Sequence, residues 1–133
     1  MLHGLTTVNL ISDDVPATVA WYTELLGVQP YFVRPEQGPP AYVEFRLGRD
    51  EDELGILDSR FALHPAPKGP AGAVVYWHVD DVAAAVERAV ALGATAHDPV
   101  TVREAGFVTG SFVDPFGNVL GLMHSPHWLA VHA

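Results

Sequence analysis

The chain has 133 residues, 49% of them hydrophobic and 17% charged, which suits one globular domain or two small halves and excludes a disordered polymer. Seven Lys+Arg against 16 Asp+Glu give a net charge of −9, which argues against nucleic acid as a partner and is explained by solubility, although it would also draw a cationic ligand. Cysteine is absent, so disulfides, thiolate metal sites and a Cys nucleophile are excluded, and no apolar run approaches the ~20 residues of a membrane helix. No secretory signal is visible at the N-terminus, and the expected setting is the cytoplasm.

Leu5 to Ile11 alternates, with Thr7, Asn9 and Ile11 on one face of a strand and Val8 and Leu10 on the other. Asp13-Asp14 then offers an N-cap carboxylate, with Pro16 in the first turn. Val15, Val19, Tyr22 and Leu26 form a helical stripe, and Gly27 stops it. Trp21 and Tyr22 read as core packing against a sheet, with a stacking platform as the alternative.

Val28 to Val33 reads as a strand and Arg34 to Pro40 as a loop. Ala41 to Leu47 and Leu54 to Leu57 read as two more strands around an acidic turn at Asp50 to Glu53. Glu44 and Arg46 alternate with Val43 and Phe45, which gives that strand one wet face.

Leu63 to Gly72, with Pro65, Pro67 and Pro70, is the linker candidate. Beyond it the pattern restarts. Ala73 to Val79 reads as a strand, and Asp80-Asp81 caps a helix lined by Val82, Val86, Ala89 and Val90 that ends at Leu92-Gly93. The Asp-Asp-Val start and Leu-Gly stop recur at nearly equal offsets, the mark of an internal repeat. Phe107 to Val113 and Val119 to His124 form a hairpin around Asp114-Pro115-Phe116-Gly117-Asn118. The tail from Ser125 carries Trp128, Leu129 and Val131, which could pack on the body or on a partner.

The repeated capping signals, Trp21-Tyr22 and the Asp-Pro-Phe-Gly-Asn turn resemble the vicinal oxygen chelate superfamily. That group holds glyoxalase I, the bleomycin-resistance proteins, fosfomycin-resistance enzymes and extradiol dioxygenases. The resemblance runs from about Leu5 to His124. It implies an α+β fold of two βαβββ modules, about residues 4–60 and 72–126 of one domain spanning 1–133, with a curled mixed sheet around a cup. It also implies completion by homodimerisation.

Metal-dependent members hold a divalent ion with four inward side chains. By resemblance those positions fall on Thr7, Val74, Gly55 (or a neighbour) and Gly121. Glycine and valine carry no donor atom and a lone Thr hydroxyl is a poor ligand, so no metal and no cofactor is expected. The seven histidines do not rebuild a site, because His124 and His127 are separated by Pro126 and His3, His64, His97 and His132 are scattered. Neither a Gly-x-Ser-x-Gly elbow nor a phosphate loop is present.

Inward alternation then lines the cup with Thr7, Asn9, Leu57, Val74, Tyr76, His78, Gly121 and Met123. The two glycines are expected to leave room for a small organic ligand. The alternative for Met123 and Leu57 is a closed core. The leading expectation is a metal-independent binding protein of the bleomycin-resistance type, taking an antibiotic or aromatic guest in a dimeric cup. Its rival is a lyase, isomerase or dioxygenase-like enzyme using an unaligned metal or acid–base chemistry at His78 or Glu44. A third reading seats a protein partner in the cup.

Overall fold

The computed structural model describes residues 1–63, 69–70 and 73–133, so most of the proline-rich linker, His64 included, lies outside the described residues. The chain divides into two compact units, Met1–Ala66 and Pro67–Ala133. Among the described residues the fold is α+β, with three α-helices and two mixed sheets, neither closed into a barrel. No described helix is long and apolar enough to cross a membrane.

The first unit runs β1 (Thr7–Ser12), α1 (Val15–Leu26), β2 (Phe32–Arg34), β3 (Tyr42–Leu47) and β4 (Asp52–Asp58). Its sheet is ordered β1-β4-β3-β2, with β1 parallel to β4 and the other pairs antiparallel. The α1 start follows the sequence: Asp14 accepts from the Ala17 backbone N–H at 3.0 Å, and Gly27 ends the helix at φ 69°. The stripe differs by one position. Thr18, not Val19, is fully buried with Val15 and Tyr22, because its hydroxyl bonds Ser12 and the Asp14 carbonyl. Leu10, Val43, Phe45, Leu54 and Ile56 complete the core on the helix side of the sheet.

Pro30 brings no N–H, and β2 begins only at Phe32 rather than Val28. β4 is longer than expected: Asp52 and Glu53 pair with Leu47 and Arg46, which leaves the turn to Gly48–Glu51. Glu44 also departs from the wet-face reading, being only 9% exposed.

The second unit runs β5 (Tyr76–His78), α2 (Val82–Ala91), β6 (Thr95–Ala96), β7 (Thr101–Val102), β8 (Val108–Val113), β9 (Val119–His124) and α3 (Pro126–Val131). β5 lies parallel to β9, β9 antiparallel to β8, and both β6 and β7 pair with β8. The strand expected over 73–79 shrinks to three residues, although Gly121 still donates to the Val75 carbonyl. Asp81 caps α2 from its side chain to Ala84 N–H at 3.0 Å, repeating the geometry of Asp14. β6 and β7 are one strand interrupted around Pro99, where the buried Ser111 hydroxyl donates to Asp98 and accepts from its N–H. Each unit is thus strand, helix, then three strands.

The β8–β9 hairpin closes as its residues dictate. Asp114, almost fully buried, accepts from the N–H groups of Phe116 and Asn118 at 2.9 and 2.8 Å, and Gly117 takes φ 94°. Phe112, Leu120 and Leu122 are buried on the α2 side with Val82, Val86 and Ala89. β9 thereby presents Gly121 and Met123 on its other face.

Candidate functional site

Register sets the open face of the first sheet. Asn9, Gly55 and Glu44 stand in one row across β1, β4 and β3; Ile11, Leu57 and Tyr42 form the row on one side, and Thr7, Glu53 and Arg46 the row on the other. Gly55 is where the expectation of empty space fails. A Cβ built there would lie 2.2 Å from Asn9 Oδ1 and 2.7 Å from the Tyr42 ring, so both neighbours already cover the glycine. The small residue allows close packing by longer ones beside it.

Tyr42 is held in place by Glu44, to whose carboxylate its hydroxyl donates at 2.9 Å. Burial, that hydrogen bond and the Glu44 charge push the phenol up to about 12, with the Thr7 hydroxyl acting the other way. Arg46 donates to Glu44 at 3.1 Å, pairs with Glu53 at 3.2 Å and lies 4.3 Å over the Tyr31 ring. Glu44 is therefore an acceptor engaged from two sides, which removes the free carboxylate that acid–base chemistry at this position would use.

In the second sheet Tyr76, Gly121 and Ser111 stand in one row, with His78, Met123 and Thr109 in the next. Gly121 is covered too: a Cβ there would sit 2.7 Å from the Tyr76 ring. Tyr76 itself stays 42% exposed, so an aromatic surface rests on the glycine and faces outward. Val74 precedes β5 and is half-buried, outside the paired strand.

His78 is tightly enclosed. Its Nδ1 accepts the Ser125 backbone N–H at 3.1 Å, which places the ring proton of the neutral form on Nε2. That Nε2 is buried without a hydrogen-bond partner, and Asp80 stands 3.8 Å away. The Trp128 ring stacks on the imidazole at 4.3 Å between centroids. With Nδ1 occupied and Nε2 protonated, the neutral ring has no lone pair for a substrate proton, contrary to the general-base expectation.

The structure thus brings Asn9 and Gly55 together in one unit, and Tyr76, His78, Gly121 and Met123 in the other. Tyr42 and Trp128 are additions. Tyr42 could have been found from its alternation with Glu44, whereas Trp128 gave no signal beyond being an aromatic in the tail.

The family model of the Glyoxalase/Bleomycin resistance protein/Dioxygenase superfamily matches residues 4–122. The chain belongs to this superfamily. Solved structures share its fold. TioX from Micromonospora sp. ML1 is 18% identical, with 91% of this chain and 98% of that chain covered and a TM-score of 0.69. A glyoxalase-related enzyme from Fulvimarina pelagi is 21% identical, with 94% and 90% covered and a TM-score of 0.72. A lactoylglutathione lyase from Agrobacterium tumefaciens is 21% identical, with 96% and 97% covered and a TM-score of 0.67. At such identities the likeness is one of fold. No curated protein matches the chain.

Metal-dependent members of the superfamily pose a direct question to this donor set. Thr7, Val74, Gly55 and Gly121 offer one hydroxyl among them, and that Thr7 Oγ1 is buried without a hydrogen bond of standard geometry. Among the described residues no group of three or more His, Cys, Asp or Glu is placed to hold a metal ion. The residues do not fit a divalent cation.

Proposed function

We propose that this superfamily member binds a small organic molecule without a metal ion, as a cytoplasmic homodimer, and performs no chemistry on it. The observation that carries the reading is the pairing of Tyr76 with Gly121. An aromatic ring lies over a residue with no side chain, remains 42% exposed, and has Met123 one row along on the same face. A flat π surface beside a polarizable thioether suits a planar or polycyclic guest. The charge of −9 favours a guest that carries positive charge. Sequestration requires affinity only, so the engagement of Glu44 and His78 in internal bonds is no obstacle to it.

The test is a thermal-shift panel of antibiotics and aromatic metabolites on the wild type and on Tyr76→Ala. A ligand at 100 times its Kd stabilises the folded chain by about 2.7 kcal/mol, a readily measured rise in Tm. The rise is expected in the wild type and is reduced in Tyr76→Ala. If no compound shifts the wild type at saturating dose, the binding reading fails. Stoichiometric Ni, Zn, Fe or Mn in protein purified without chelator would overturn its metal-independence.

A further inference from the structure

Four aromatic side chains meet where β5 and β9 end and α3 begins, and none of them serves the reading above. His78 stacks on Trp128 with an interplanar angle of 9°, Trp128 stacks on His132 at 4.0 Å, and His124 lies 5.6 Å from His78. Ser125 is the N-cap of α3: its hydroxyl accepts from the Trp128 N–H, while its own N–H is taken by His78 Nδ1. The His78 side chain is 8% exposed. One imidazole thus supplies both the acceptor for the N-cap residue of the helix and the ring face on which the helix rests.

We propose that α3 is a pH-operated latch, held on the end of the second sheet by neutral His78 and released when that ring takes a second proton. An imidazolium has no acceptor, so Nδ1–H would point at the Ser125 N–H across 3.1 Å. The released helix would leave the end of β5, two residues from Tyr76, uncovered.

The groups that face His78 decide the direction. From β9 comes His124, whose Nδ1 is also buried without a hydrogen bond; from α3 come His132 and the neutral Trp128 ring; from the turn after β5 comes Asp80. Asp80 and the indole face favour a cation, but Asp80 is 98% exposed and screened by water. Burial, then the like charge of His124 and His132, outweighs them and lowers His78 from its ordinary 6.5. A lowered histidine adds stability that is present above 6.5 and is lost as pH falls through the folded-state value, so the latch opens on acidification.

The experiment is NMR on the full chain, following the His78 ring, the Ser125 amide and the backbone order of residues 126–131 from about pH 7.5 to about pH 5. The Ser125 amide and the His78 ring should share one midpoint below 6.5, and the order of α3 should fall with it. His78→Asn, which keeps an acceptor near the Nδ1 position and cannot ionise, should keep α3 ordered in acid. His124→Asn should move the midpoint upward. Either of two results overturns the proposal: α3 still ordered with His78 protonated, or a Ser125 midpoint that departs from that of the His78 ring, whatever His78→Asn does.

Discussion

The two units repeat one plan and fill it with opposite chemistry. Each places a glycine in the last strand of its sheet, on the face away from its helix, and each covers that glycine with a neighbour's side chain. In the first unit the cover is polar and anchored, with Asn9 and a Tyr42 tied to Glu44, Arg46 and Glu53. In the second it is the ring of Tyr76, half-exposed and, among the described residues, without an ion-pair network around it. A repeated backbone therefore constrains where a site is built and leaves its chemistry to a few cross-strand neighbours.

Filling the two glycines should separate the units most. Gly55→Ala should cost about 2–3 kcal/mol in urea unfolding, because the new methyl meets both Asn9 and a Tyr42 that Glu44 holds in place. Gly121→Ala should cost about 1 kcal/mol or less, since the Tyr76 ring can swing into solvent and alanine is favoured over glycine in a strand. Equal losses at the two positions would mean that the anchoring of Tyr42 contributes nothing.

The helix starts of the two units are alike. Asp14→Ala and Asp81→Ala each remove a cap bond of 3.0 Å and should each lower stability by about 1 kcal/mol, within error of one another. A clear inequality would show that the repeat is not energetically equivalent at its helix starts.

The smallest expected effect is spectroscopic. Tyr42 should ionise near 12 in an ultraviolet titration, and Glu44→Gln should bring it down toward the ordinary 10.0. A raised phenol gives stability that is complete below pH 10 and is lost as pH climbs toward 12, so Glu44→Gln should flatten alkaline unfolding in that window. An unchanged titration would mean that burial, with the Glu53 charge, raises the group without Glu44.

Much of the fold was legible because its signals are local. The two Asp caps, Gly27, the Asp114 to Asn118 turn and the bounds of β9 all follow from residues within a few positions of one another. Burial departs from the hydrophobic pattern where side-chain hydrogen bonds decide it. Thr18 displaced Val19 from the core because Ser12 was there to bond it, and Glu44 left the wet face because Arg46 and Tyr42 enclosed it. The largest departure concerned the glycines, read as hollow because a residue's own volume is visible in a sequence while its neighbours' reach is not.

By itself the amino-acid order determined the repeat, the helix ends, the final hairpin and the absence of donor side chains at Val74, Gly55 and Gly121. Those properties are written in residue type and short spacing. Only the tertiary structure decided that Tyr42 and Tyr76 lie over the glycines and that Trp128 seals His78, because each contact depends on strand register or on where a short terminal helix comes to rest. Register is set by the sum of a whole sheet's pairings, and no single stretch of chain carries it.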